Sequence, residues 1–161
     1  MKATKEIKRL IATAVSAQKS AYCPYSRYPV GASVLTGSGR IFAGCNVENA
    51  SYGLSLCAER VAIFNAVTRN QKSLTAVCVV GSSAKPCGAC RQVMFEFSTK
   101  DTALYLVDRN PASGRQRVTK TTVFKMLPAP FDPLDSGLLP ANPRNLVRRR
   151  ETPRRRRRKS R

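Results

Sequence analysis

The chain has 161 residues, and 11 of its 29 lysine and arginine residues fall within residues 137–161, where Glu151 is the single acid. This length and charge distribution predict one compact domain, residues 1–134, followed by a disordered arginine-rich tail, residues 135–161. The sequence contains no histidine, which excludes Ser-His-Asp and Cys-His catalysis and any zinc site that uses imidazole.

The chain begins with a helical pattern and continues into a predicted hairpin. Apolar residues recur at helical spacing over residues 6–22, which predicts an amphipathic helix. The proline-containing segment 23–29 favours an irregular connection. Residues 30–35 and 40–47 are strand-like, and the glycines of Thr36-Gly37-Ser38-Gly39 between them suit a tight turn. The two strands are therefore predicted to be antiparallel neighbours.

Helical and strand-like patterns alternate in the next part of the chain. Residues 57–67 and 87–97 have helical apolar spacing, and residues 74–80 form a continuous apolar run typical of a buried strand. A further strand is predicted for residues 102–107.

The turn cluster at residues 110–114 is too short to hold a crossover helix before a fifth strand at residues 117–119. Strands four and five are therefore expected to be antiparallel. Thr121 or Thr122 is then expected to cap a short helix that ends near Leu127, before a proline-rich stretch.

Six cysteines raise the question of disulfide bonds. No secretory leader opens the chain, and no apolar run approaches the roughly 20 residues of a membrane-spanning helix. We therefore expect a cytoplasmic protein with no membrane association, in which clustered cysteines act as ligands or catalysts.

Two segments place cysteines at the start of predicted helices. They are Cys57-Ala58-Glu59-Arg60 and Pro86-Cys87-Gly88-Ala89-Cys90-Arg91-Gln92. Exposed backbone N–H groups at a helix start lower the pKa of a thiol, and the thiolate is the species that binds metal. Cys57, Cys87 and Cys90 are therefore predicted to bind one Zn²⁺ per subunit, which leaves one coordination position for water.

A bound zinc ion would also give catalytic or supporting roles to residues that neighbour the three cysteines in the sequence. Zinc lowers the pKa of a bound water to about 7, which supplies a nucleophile without histidine. Glu59 lies two residues after Cys57, so it could take the proton of that water and return it to a leaving amine. Arg60, Arg91 and Gln92 are expected to surround the ligands, where the arginines would draw charge from the thiolates.

A structural metal site is the alternative for the same cysteines. Cys87 and Cys90 could belong to a zinc clip with Cys23, Cys45 or Cys78 as fourth thiolate, or form a buried inert pair. Cys-x-Glu followed 30 residues later by Pro-Cys-x-x-Cys, both opening helices around a buried strand, favours the catalytic interpretation. The remaining three cysteines are then expected to be core or near-core residues.

These motifs, together with Pro24-Tyr25-Ser26 and Asn46-Val47-Glu48-Asn49-Ala50-Ser51-Tyr52, resemble the small cytidine deaminases that act on free nucleosides. The resemblance spans residues 5–132. It implies an α/β fold with three α-β-α layers, in which a five-stranded mixed sheet has helices on both faces. It also implies a homotetramer and, in pyrimidine salvage, hydrolysis of cytidine and deoxycytidine to uridine and deoxyuridine with release of ammonia.

The same resemblance implies how substrate is bound. Asn46 and Glu48 should hydrogen-bond the sugar hydroxyl, and the backbone around Ala58 should read the pyrimidine edge. A capped, solvated loop is the alternative for Asn46 and Glu48. Tyr28 stands where the family usually presents phenylalanine against the base, with Val30 beside it, and the tyrosine hydroxyl then needs a partner.

Two further aromatic residues are implied to act between subunits. Tyr52 and Phe131 should reach into a neighbouring subunit's site, and core packing is their alternative. The stretch 81–85 before Pro86 is short relative to many relatives and is expected to alter the rim of the site.

The basic tail and the core favour different partners. Residues 153–161 resemble a nuclear address or a nucleic-acid patch, but they contain no aromatic residue for stacking on bases, so weak nonspecific contact with polyanions is expected. The alternatives to a nucleoside deaminase are a polynucleotide cytosine deaminase and a non-catalytic zinc protein with a nucleic-acid-binding tail. A blasticidin-type deaminase is disfavoured by residues 46–52.

Overall fold

The computed structural model describes residues 2–110 and 113–138, with side chains from residue 5 onward. Most of the predicted tail, from residue 139 onward, lies outside the described residues. The helices and strands in chain order are α1 (Lys2–Gln18), β1 (Gly31–Thr36), β2 (Ile41–Cys45), α2 (Ala58–Val67), β3 (Leu74–Gly81), α3 (Gly88–Glu96), β4 (Ser98–Arg109) and β5 (Gln116–Thr122). Short 3₁₀ turns occur at Tyr52–Leu54 and Phe124–Met126.

The strands form one mixed sheet in the order β2-β1-β3-β4-β5. β1 pairs antiparallel with both β2 and β3, whereas β3 and β4 are parallel and are connected through α3. β4 and β5 are antiparallel, with Asp108 opposite Arg117. The predicted hairpin and the antiparallel fifth strand are both confirmed.

Helices cover both faces of the sheet, because side chains along a strand point alternately to opposite sides. Leu10 and Ala14 of α1 pack in one core cluster with Cys78 and other residues of the same face. Residues of α2 and α3, including Ile63 and Met94, form the core cluster on the other face. This confirms the three-layer arrangement that the resemblance implied.

Gly44 lets α2 lie directly on β2. A Cβ at this position would lie 2.4 Å from the backbone nitrogen of Ala62 and 2.7 Å from the carbonyl oxygen of Ala58. Only a residue without a side chain fits between these backbone atoms. The sheet therefore fixes the position of the helix that starts after Cys57.

Several boundaries differ from the prediction. α1 ends at Gln18 rather than near residue 22, because the chain then pairs with the segment that follows β2, where the amide of Tyr22 donates to the carbonyl of Asn46 at 3.0 Å. The short helix after β5 is a 3₁₀ turn, in which the amide of Lys125 donates to Thr122 Oγ1 at 3.3 Å.

β5 lies at the edge of the sheet and is longer than predicted. Its first five residues are exposed, and they include Arg117, Val118 and Lys120. The predicted strand covered only residues 117–119, because Thr121 or Thr122 was assigned to the cap of a following helix, whereas both belong to β5. Within the described residues no helix is long and apolar enough to cross a bilayer.

Candidate active site

Three cysteine sulfurs meet where α2 and α3 begin. Cys57 and Cys87 are the N-cap residues of these helices, and Cys90 lies in the first turn of α3. The three Sγ atoms lie within 4.8 Å of one another, and those of Cys57 and Cys87 are 3.9 Å apart. Two sulfurs of a tetrahedral zinc site are about 3.8 Å apart when each Zn–S bond is about 2.3 Å. The donor set therefore fits zinc.

The other cysteines do not complete this cluster. Cys78 is buried on the α1 face of the sheet, and burial raises the pKa of its thiol to about 12. Cys45 donates its thiol to the carbonyl of Ser20 at 3.3 Å, and Cys23 is half-buried. No fourth cysteine or carboxylate of the described ranges joins the three sulfurs, so the structural-clip alternative has no fourth ligand there.

The thiols interact with one another and with Arg60. A hydrogen bond from the Cys90 thiol is the largest cause that lowers the pKa of Cys57, to about 5, and Arg60 also lowers it. The same hydrogen bond raises the pKa of Cys90. Arg60 Nη2 lies 3.9 Å from Cys57 Sγ and donates to the carbonyl of Ser55 at 2.9 Å. The guanidinium therefore lies beside one sulfur of the cluster.

Arg91 and Gln92 make different contacts. Arg91 Nε donates to the carbonyl of Pro86 at 2.8 Å, and its Nη1 donates to the carbonyl of Met126 at 3.3 Å. Gln92 Nε2 donates to the carbonyl of Phe131 at 2.9 Å. Both side chains therefore brace the segment before Cys87 and the chain after β5, and their hydrogen bonds go to carbonyl groups rather than to sulfur.

A cavity of about 360 Å³ opens beside the sulfurs, a volume within the range of small-molecule sites. Its lining brings together seven residues that the sequence singled out: Tyr28, Val30, Asn46, Glu48, Cys57, Glu59 and Cys87. Of the other lining residues, Ser26 belongs to the Pro24-Tyr25-Ser26 motif, and Ala84 and Lys85 belong to the stretch 81–85 that was expected to alter the rim. Ser55, Leu56 and Val79 were not predicted. Most of these flank a motif residue in the sequence, and that adjacency was the available signal.

The two carboxylates of the cavity have different surroundings. Glu59 is only 4% exposed, and its burial raises the pKa of its carboxyl. Glu48 accepts hydrogen bonds from the amides of Tyr25 at 2.9 Å and Ser26 at 3.2 Å, and from the Ser26 hydroxyl. The Ser26 hydroxyl is the main cause that lowers the pKa of Glu48. Glu48 therefore holds the loop over the cavity, whereas Glu59 lies deep beside the sulfurs.

Asn46 and Tyr28 connect the walls of the cavity. Asn46 Oδ1 accepts from the amide of Val30 at 2.8 Å, and its Nδ2 donates to the carbonyl of Tyr28 at 2.9 Å. The Tyr28 hydroxyl donates to the carbonyl of Ser82, across the cavity wall. That hydroxyl therefore has the partner that its position requires, and Asn46 is a buried anchor rather than a residue of a solvated loop.

The residues expected to act between subunits lie on the surface of the single chain. Tyr52 is 73% exposed and Phe131 is 60% exposed, so core packing is wrong for both. Tyr52 makes an edge-to-face contact with Tyr25, with ring centroids 5.6 Å apart. Ala58, by contrast, is fully buried at the first position of α2 and is not among the residues that line the cavity.

Comparisons with known proteins agree with this geometry. The family model for the cytidine and deoxycytidylate deaminase zinc-binding region matches residues 4–106. A cytidine deaminase of Sporosarcina psychrophila is 41% identical over 133 residues, which cover 81% of this chain and 94% of that protein.

Solved structures give the same result. The crystal structure of a cytidine deaminase from Burkholderia pseudomallei is 44% identical, with a TM-score of 0.65 over 77% of this chain and 98% of that chain. The crystal structure of a cytidine deaminase from Mycobacterium tuberculosis is 38% identical, with a TM-score of 0.62 over 78% of this chain and 96% of that chain.

Proposed function

This chain belongs to the cytidine and deoxycytidylate deaminase family, and from that premise we infer that it is a zinc-dependent hydrolase that deaminates cytidine to uridine and releases ammonia. The observation that carries this inference is a cavity in which ligand cysteines and the buried Glu59 lie together. We propose that deoxycytidine is a second substrate and that the enzyme acts in pyrimidine salvage, because the small cavity suits a free nucleoside.

Cys57, Cys87 and Cys90 are the zinc ligands in this proposal, with one ion per subunit. When bound, zinc supplies a Lewis acid that lowers the pKa of a coordinated water to about 7. Arg60 compensates part of the negative charge of three thiolates, because its guanidinium lies 3.9 Å from Cys57 Sγ. Arg91 and Gln92 support the site by holding the segments around Cys87 and Phe131.

Glu59 carries the protons. Glu48 lies against residues 25–26, where it accepts from two amides and a hydroxyl, so Glu59 is the carboxylate of this cavity that lies beside the sulfurs. A carboxylate oxygen of Glu59 accepts the proton of the attacking water and returns it to the exocyclic nitrogen that leaves as ammonia. Its burial excludes bulk water from that transfer.

The remaining cavity residues position the nucleoside. The ring of Tyr28 and the side chain of Val30 contact the base, and Asn46 and Glu48 hydrogen-bond the sugar hydroxyl. The backbone at Ala58, at the start of α2, reads the polar edge of the pyrimidine. The roles of Tyr28, Val30, Asn46 and Glu48 are supported by their shared place in the cavity lining.

A homotetramer completes the site in this proposal. Tyr52 and Phe131 are exposed on one subunit, and each is assigned to the site of a neighbouring subunit. Residues 1–134 form the catalytic domain, and residues 135–161 form a tail that makes weak nonspecific contacts with polyanions. Free thiols at all six cysteines support a cytoplasmic location.

The decisive experiment follows absorbance during incubation with cytidine, deoxycytidine, cytosine base and single-stranded DNA. We expect turnover of the two nucleosides alone. Glu59→Gln should retain zinc and folding but lower kcat at least about 100-fold, because proton transfer by a positioned group contributes about 10²–10⁴. Cys87→Ala should lose zinc, measured by elemental analysis, together with stability.

Glu48→Gln is the matched control, because it alters the other carboxylate of the cavity. Its main effect should be a higher KM, since Glu48 binds substrate and holds the loop. Full kcat in Glu59→Gln would eliminate the proposed proton carrier. Turnover of DNA without turnover of nucleosides would instead establish the polynucleotide alternative.

A further inference from the structure

A surface cleft, defined by the linings of two neighbouring depressions, lies between α1 and the start of β5. Two depressions of about 440 and 420 Å³ lie side by side and share Gln116 in their linings. Neither depression is lined by the zinc ligands or by Glu59. The cleft is therefore separate from the cavity that holds the proposed chemistry.

The cleft has an excess of positive charge. Lys8 and Lys19 line its α1 end, and Arg115 and Arg117 line its β5 end. Asp108 is the one acid of this lining, and its carboxylate accepts a hydrogen bond from the amide of Ser83 at 2.7 Å. The lining therefore carries four cations and one anion.

The four cationic side chains of the cleft have no hydrogen bond or ion pair with any described residue. Three arginines outside the cleft do have partners: Arg60 and Arg91 donate to carbonyl groups, and Arg69 donates to Asn65. Uncompensated cations gathered in a concave surface raise the local concentration of anions. This charge arrangement fits a phosphate-bearing ligand.

The α1 end of the cleft adds apolar surface. Ile11 and Val15 line it between the two lysines, so bases and phosphates could be contacted together. Unstacked bases of a single strand expose faces that a duplex hides.

We propose that this cleft binds the sugar–phosphate backbone of a single-stranded nucleic acid. Lys8, Lys19, Arg115 and Arg117 neutralise phosphates, and the apolar wall of α1 contacts the bases without sequence preference. Each neutralised phosphate of a single strand contributes about −0.7 to the slope of log K against log salt concentration. Replacing one pair of cleft cations should therefore reduce the magnitude of that slope by about 1.4.

The test measures fluorescence anisotropy of a labelled single-stranded oligonucleotide of mixed sequence with the full-length zinc-loaded protein, over a range of NaCl concentrations. The variants are Arg115→Gln with Arg117→Gln, and separately Lys8→Gln with Lys19→Gln. Lys100→Gln with Lys125→Gln is the matched control, because it removes equal charge from exposed positions outside the cleft. The arginine-rich tail contributes equally to every variant, so the difference in slope reports the cleft.

Each cleft pair should reduce the slope by about 1.4, while the control pair leaves it unchanged and all variants turn over cytidine at the wild-type rate. Equal loss in the control pair would overturn the proposal, because total charge would then explain binding. Wild-type salt slopes in both cleft variants would also overturn it, because the arginine-rich tail would then account for the binding. Binding of anionic phospholipid vesicles with the same dependence on the cleft cations would overturn the assignment to nucleic acid. Loss of cytidine turnover in wild-type protein would contradict the deaminase instead.

Discussion

Gly44→Ala tests how closely catalysis depends on the contact between β2 and α2. The new Cβ would lie 2.4 Å from the nitrogen of Ala62 and 2.7 Å from the oxygen of Ala58, whereas ordinary contacts begin near 3.4 Å. Both neighbours are backbone atoms of α2, so no side-chain rotation relieves the overlap. The helix must move away from the strand by about 1 Å.

That displacement should change both stability and activity. Overpacking of a core costs about 1–3 kcal/mol, and each kcal/mol lowers Tm by about 2–4 °C in a domain of this size. The N-terminus of α2 carries Glu59 next to Cys57, and a misplacement of about 1 Å can reduce turnover about 100-fold. We expect a lower Tm together with a kcat reduced to about one hundredth.

Thermal denaturation and the cytidine assay, each with zinc content measured, check this expectation. Gly53→Ala is the control, because a Cβ there would meet no atom within 4 Å. A Gly44→Ala protein with wild-type Tm and kcat would refute the reasoning. A lower Tm with unchanged kcat would show that the edge strand moves rather than the helix, and would refute the link to catalysis.

Two further substitutions test single side chains. Tyr28→Phe keeps the ring but removes the hydroxyl that bonds to the Ser82 carbonyl. A hydrogen bond of this kind contributes a net of about 0.5–1.5 kcal/mol, so KM should rise severalfold with little change in kcat. An unchanged KM would exclude this role. The pKa of Cys78 is raised from 9.0 to about 12 in the folded chain, so stability is lost as pH rises above 9, by about 1.4 kcal/mol at pH 10. Urea denaturation at pH 7 and 10 should show this loss in wild type and not in Cys78→Ala; an equal loss in both would disprove it.

Short-range patterns predicted much of the fold. The Thr36 to Gly39 turn fixed the first hairpin, and the short connection after residue 110 predicted the antiparallel β5. Cys57 and Cys87 were assigned to helix starts because their motifs precede helical apolar spacing. Each of these features depends on residues that are close together in the sequence.

Contacts between distant segments were harder to predict. The bond from Tyr28 to Ser82 joins residues 54 positions apart, and no local pattern indicates it. Arg91 follows Cys90 directly, so adjacency suggested a contact with sulfur, but its guanidinium reaches Pro86 and Met126 instead. Side-chain direction depends on the turn of the helix and on what packs against it, neither of which sequence spacing specifies.

The exposed edge strand has a consequence for the behaviour of the protein in concentrated solution. A free strand edge offers unpaired N–H and C=O groups to other chains, and such pairing can grow into cross-β aggregates. Arg117 and Lys120 lie on the exposed part of β5. A second β5 paired in register would bring like charges to within about 5 Å of one another. These two cations therefore oppose fibril-like growth from this edge of the sheet.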